Sequence, residues 1–202
     1  TSQVGDVYYF DSFQLEQKEY ATSWTVGTRQ PEVITVPTAG VLNDRGPWTI
    51  ECWAKTNVTS GVHRMPFSAW SKFYVSLTPD NEPLLSWTDA SNTQRYAYAT
   101  SVLANPMDWH YWAFTWDGAI ARVYVDAVKV IEVATDLPKV LPVKLDIGRL
   151  YSNKSYLNGL IDDLRISSRA RTDEEIAAAY QSGQSLPVDA WTTLKLDFNG
   201  DL

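Results

Sequence analysis

Cysteine is nearly missing from this 202-residue chain. Cys52 is the only one, so no intrachain disulfide can form, and its place in the apolar run from Ile50 to Ala54 reads as that of a buried thiol. Histidine is almost as scarce: only His63 and His110 offer an imidazole base near neutral pH, and no Gly-x-Ser-x-Gly elbow accompanies them. No Glu is followed two residues later by Asp or Glu, the spacing that sets two carboxylates of a sandwich glycosidase on one strand. Basic residues are outnumbered, 17 Lys and Arg against 24 Asp and Glu for a formal charge of -7, which disfavours phosphate backbones, so nucleic acid is not an expected partner. No run of eighteen apolar residues occurs, and membrane insertion is not expected. The segment from Thr1 to Asp6 has neither the basic region nor the apolar core of a signal peptide, and the chain is expected to begin inside something larger or after processing.

What the chain does have is apolar and aromatic residues in short alternating runs. A hydrophobic share of 45% is enough for a core, while nine Trp and eleven Tyr exceed what a core needs, so some are expected at the surface. Trp112, Phe114 and Trp116 alternate up to the turn pair Asp117-Gly118, and the chain returns with Ala121, Val123 and Val125 on one face and Arg122, Tyr124 and Asp126 on the other. That is an antiparallel hairpin. Further strands are expected at Val33 to Val36, Trp48 to Lys55, Met65 to Trp70, Phe73 to Leu77, Leu84 to Trp87, Gln94 to Ala99, Lys144 to Arg149, Leu157 to Ile166 and Thr193 to Phe198. Strand after strand at short intervals argues for a sandwich or barrel and against βαβ units. The one helix follows Thr172, which with Glu175 forms a capping box. Asp173 and Glu174 suit its N-terminus, Gly183 its end, and Ile176 and Tyr180 its docking face.

These residues carry a family resemblance. Trp109 to Gly118, Ala121-Arg122-Val123-Tyr124-Val125-Asp126, Ile147-Gly148-Arg149 and Gly159-Leu160-Ile161-Asp162-Asp163-Leu164-Arg165-Ile166 resemble the laminin-G-like, concanavalin A-like lectin-glucanase domains over residues 27–186. The resemblance implies an all-β fold, an antiparallel jelly-roll β-sandwich with one short C-terminal helix. It departs at Ala127, where the family usually has Gly. Residues 1–26, with the run from Tyr8 to Glu16, resemble the closing strand and exit linker of a preceding carbohydrate-binding module in phage tail and other modular surface proteins; the alternative is that this strand belongs to the main sandwich. The final strand falls in 187–202.

Sugar recognition uses aromatic faces for pyranose rings and a few amides and carboxylates for hydroxyls. The candidates are Trp70, Tyr74, Trp87, Tyr96 and Tyr98 in the middle strands, with Asp89, Asn92 and Arg95 in the intervening loop. Tyr96 and Tyr98 share a face and form the best pair. Calcium needs six to eight oxygens. The resemblance implies a structural calcium near Asp162 and Asp163, with Asp163 carried over, and the alternating oxygens of Asp197, Asn199 and Asp201 imitate the start of a calcium loop without its later Gly and Glu. Asp162 and Asp163 are adjacent on a strand and should face opposite ways unless a bulge intervenes.

The expected function is non-catalytic recognition of a cell-surface glycan or polysaccharide within a larger extracellular or phage-tail protein. A structural spacer or oligomerisation module, meeting neighbouring modules or a second copy of itself, is the alternative from another class; a glycoside hydrolase-like enzyme is the third.

Overall fold

Wherever the sequence alternates, the chain runs extended. The computed structural model describes residues 34–42, 46–69, 72–135, 144–150, 155–183 and 186–197, all within a unit spanning 31–202. The segment 1–26, and with it the expected remnant of a preceding module, lies outside the described residues, as do Trp70, Asn199 and Asp201. The elements are β1 (Ile34–Pro37), β2 (Trp48–Thr56), β3 (Arg64–Ala69), β4 (Phe73–Leu77), β5 (Pro83–Thr88), β6 (Gln94–Tyr98), β7 (His110–Trp116), β8 (Ile120–Val125), β9 (Val128–Ala134), β10 (Lys144–Ile147), β11 (Gly159–Ser167), α1 (Asp173–Ser182) and β12 (Thr192–Leu196). They build two six-stranded antiparallel sheets, the first in the order β1-β10-β3-β4-β5-β6 and the second β12-β11-β2-β7-β8-β9. The final strand β12 is an edge of the second sheet, with Lys195 opposite Arg165.

Alternation places one residue in two between the sheets. Trp48, Ile50 and Cys52 of β2 meet Phe67, Phe73, Val75 and Trp87 from the other sheet in a single core. Trp48 anchors it, stacked on Phe73 at 5.0 Å and meeting Phe114 edge-on at 4.9 Å, a pairing worth about 0.5–1.5 kcal/mol beyond area burial. Cys52 is fully buried there, and desolvation, with the Glu51 charge beside it, pushes its thiol far above the ordinary range.

The opposite face of the second sheet is covered too. Trp53, Tyr111, Ala113 and Tyr124 project away from the core and are closed over by Ile176 and Ala179 of α1 and by Leu186. The helix starts and stops where its sequence dictates. The Thr172 hydroxyl accepts from the Glu175 amide, the Glu175 carboxylate accepts from the Thr172 amide, and Gly183 ends the helix in the left-handed region at φ 54. Beside the apolar contacts lies a buried ionic network. Glu51 receives Arg165 Nε at 2.9 Å and Nη2 at 3.0 Å, the Arg171 Nε at 3.2 Å, and the Tyr111 hydroxyl. Burial, with the Glu51 carboxylate next to it, holds the Tyr111 phenol well above its usual range.

The strand β9 has no counterpart in the sequence reading. Val130 and Ile131 are adjacent apolar residues, and the register slips between Val123 and Tyr124, so period-two alternation breaks on this edge strand. The turn before it is tight: Val125 pairs with Val128, and both Asp126 (φ 50) and Ala127 (φ 64) take the left-handed conformation. An alanine there carries a steric penalty that glycine does not. Ala127→Gly is expected to raise stability by about 1 kcal/mol, read as a higher urea midpoint at unchanged slope. A loss of stability would refute the turn assignment.

His110 sits at the same end of the hairpin, its Nδ1 2.6 Å from Asp126 Oδ2 and its Nε2 3.1 Å from the Asn105 carbonyl. Burial works against the imidazolium, but these two acceptors outweigh it and raise the pKa. The folded chain therefore holds this proton more tightly than the unfolded chain, whose His titrates near about 6.5. The resulting stability is full below that pH and is lost as pH rises through the raised folded value. The urea midpoint should accordingly fall between pH 6 and 9, and His110→Gln should flatten that slope; an unchanged slope in the variant would show that the pair contributes nothing.

Candidate functional site

With the second sheet covered by α1, the outer face of the first sheet is the face to consider. Its register is continuous. Thr35, Asp146, Ser68, Tyr74, Ser86 and Tyr96 lie opposite one another across all six strands in a single row, and Ser76, Leu84 and Tyr98 form the next. The matching inner row, Ile34, Ile147, Phe67, Val75, Leu85 and Ala97, belongs to the core. The outer row is thus a polar floor with tyrosines in it. Thr35 Oγ1 donates to Asp146 Oδ1 at 2.7 Å, Arg149 Nη2 to Asp146 Oδ2 at 3.2 Å, Ser68 Oγ to the Arg149 carbonyl at 2.7 Å, and Gln94 Nε2 to Ser86 Oγ at 2.9 Å.

The exposed tyrosines of this face lie at the β6 edge. Asp146, Ser68 and Ser86 are buried and Tyr74 half-buried, whereas Tyr96 is 49% and Tyr98 56% exposed. The two rings lie nearly parallel, 26° apart, with centroids separated by 6.4 Å. Gln94 shares their face and is exposed.

The loop joining β5 to β6 is held by Asp89. Its Oδ1 accepts from the Ser91 and Thr93 amides at 2.9 and 2.8 Å and its Oδ2 from Arg95 Nε at 2.8 Å. The Thr93 amide, followed by the Arg95 guanidinium, lowers its pKa. Asp89 is an organiser of the loop, and Asn92, in the left-handed region at φ 61, is its exposed tip. Asn92, Gln94, Tyr96 and Tyr98 therefore follow one another along the edge. Trp87 does not join them. It points into the core and is 7% exposed, so the expectation that it offers a stacking face is corrected: on β5 the parity that sends Ser86 outward sends Trp87 inward. Arg95, opposite Trp87, has the inner parity as well, at the open edge.

Asp162 and Asp163 are brought together by a bulge. The pairing of β11 with β2 slips between Asp162 and Arg165, Asp163 takes φ 50, and Asp162 Oδ1 accepts from the Asp163 amide at 2.8 Å. Both carboxylates are nearly buried, and Lys195 Nζ stands 3.6 Å from Asp163 Oδ1 and 3.7 Å from Asp197 Oδ2. An ammonium at that position does not fit a calcium ion, and among the described residues no three His, Cys, Asp or Glu side chains gather as a metal site.

Two other hollows are poor candidates. The cavity bordered by Arg64, His110 and Trp112 holds about 10 Å³, room for roughly one water. The open groove beside the start of α1 is lined by charges that neutralise one another: Arg122 pairs with Asp117 and Glu132 at 2.8 and 2.9 Å, and Lys129 with Glu132 and Asp173 at 2.7 and 3.3 Å.

Several solved structures share this architecture. The botulinum neurotoxin serotype G binding domain matches with a TM-score of 0.57 at 15% identity over 74% of this chain and 40% of its own. A structure from work on botulinum neurotoxin type C, whose cell entry depends on interaction with two ganglioside molecules, matches with a TM-score of 0.57 at 9% identity over 74% and 39%. Domain 4 of AbnA, an extracellular arabinanase from Geobacillus stearothermophilus, in complex with arabinotriose, matches with a TM-score of 0.52 at 20% identity over 66% of each chain. At these identities the likeness is one of fold, and the chain spans about two fifths of the length of the toxin structures. No curated protein matches it. Residues 27–177 match the laminin G-like family model, and the chain belongs to the concanavalin A-like lectin/glucanases superfamily.

Proposed function

We propose that this chain is a non-catalytic glycan-recognition module of a larger extracellular or phage-tail protein, and that it binds through the β6 edge of the first sheet. The observation that carries the reading is the half-exposed Tyr96–Tyr98 pair on a polar sheet face, beside Gln94 and Asn92. Aromatic faces with a few amides are the surface that a sugar needs: apolar C–H faces stack on rings while hydroxyls bond to side-chain amides. The structural neighbours support it, since one was solved with arabinotriose and another is linked to gangliosides.

The test is a binding screen of the purified chain against plant arabinans, bacterial cell-wall polysaccharides and ganglioside headgroup sugars, each with calcium and with chelator. Saturable binding of at least one is expected. Silence across the whole set in both buffers would sink the glycan reading and turn attention to self-association, the signature of a spacer or oligomerisation module. A difference between the two buffers would show that calcium takes part in binding.

A further inference from the structure

Tyr96 and Tyr98 are separated by one residue on a strand, so their side chains leave the sheet on the same side, about 6–7 Å apart along the strand. The ring centroids keep that spacing, 6.4 Å, and the planes diverge by only 26°. Half-exposed rings at this spacing can serve as two platforms in tandem, with an advance close to that of one sugar unit in an extended glycan. Continuing along the same face, Gln94 has its Nε2 fixed by Ser86 Oγ at 2.9 Å, which leaves its carbonyl oxygen as an acceptor facing solvent. Asn92 stands beyond it at the loop tip. The row runs parallel to a sheet edge, since among the described residues β6 has no strand on its far side. Nothing among the described residues of the row resembles a socket for a chain end: both rings are about half exposed.

We infer that the module reads the interior of a linear glycan. The inference rests on the glycan reading above. Two consecutive sugar rings of one extended chain lie on Tyr98 and Tyr96 along β6, with the following unit at Gln94 and Asn92.

The experiment is isothermal titration of the intact chain with α-1,5-arabino-, cello- and xylo-oligosaccharides of one to six sugars. The binding series is repeated with both chain ends chemically blocked. For the series that binds, affinity should rise at least tenfold between one sugar and three, level off by four, and survive blocking of both ends. Tyr96→Ala and Tyr98→Ala should each lower trimer affinity by about tenfold, the loss of one stacked ring, while leaving the monomer nearly unaffected and the thermal midpoint unchanged, since both side chains are exposed. Full affinity for a single sugar, or loss of binding when one end is blocked, would overturn the inference. Trimer binding indifferent to both tyrosine variants would overturn it too, and would leave the glycan reading standing at another face. Absence of binding by every oligosaccharide, together with silence in the polysaccharide screen, would remove both.

Discussion

Replacing Glu51 by Leu is expected to lower stability by about 3–5 kcal/mol, the range for breaking a buried ion pair from one side. Glu51 is wholly buried on the outer face of β2 and answers two guanidiniums, Arg165 and Arg171, that are 2% and 7% exposed. Without it, Arg171 still has Asp189 at 2.8 Å and Arg165 still has the Pro187 carbonyl at 2.8 Å, but their charges lose the carboxylate between them and the Tyr111 hydroxyl loses its acceptor. The penalty arises less from the lost attraction than from two desolvated cations left behind. Replacing Glu51, Arg165 and Arg171 together by apolar residues should therefore recover much of the loss. Guanidinium denaturation at pH 7 measures both variants. A single-variant loss under 1 kcal/mol would mean that water reaches the network and that α1 does not seal this face.

Gly159→Ala is expected to be nearly as damaging, by about 3 kcal/mol. Gly159 opens β11 opposite Thr56 of β2, and a Cβ built on it would fall 1.8 Å from the Lys55 carbonyl oxygen and 2.8 Å from both the Lys55 carbonyl carbon and the Thr56 Cα. All three are backbone atoms, so no side chain can swing away. The strand would have to part from its neighbour just upstream of the Asp162–Asp163 bulge. Hydrogen exchange of the β2 and β11 amides should show the opening locally. Protection equal to that of the parent chain would refute the close approach.

The sandwich was legible because its strands are half-buried and alternate cleanly. The hairpin through Asp117-Gly118, the inward Trp48 and Ile50 and the capped helix all follow from side-chain parity and end chemistry. Strand β9 was not, because a register slip and the adjacent Val130 and Ile131 erase its period. Parity also bears on the candidate site. It identified Tyr96 and Tyr98 as companions, and the same count along β5 would have sent Trp87 inward, had the core face been known. What alternation does not carry is which sheet face the helix covers. That depended on α1 folding back over Trp53 and Tyr111, a contact between residues more than 50 positions apart that no local pattern encodes. The role of Asp89 was likewise hidden, since a loop carboxylate that grips its own amides has the same sequence as one offered to a ligand.

The burial of Cys52 has a practical side. Its thiol lies between the sheets and is held protonated, and thiolate is the form that oxidises and reacts with electrophiles. The chain consequently behaves toward maleimides as though it had no cysteine at all. A cysteine introduced at the exposed loop tip, Asn92→Cys, would be the sole reactive handle on the molecule, a few residues from the tyrosine pair, and a dye attached there would report occupancy of that edge without any background label.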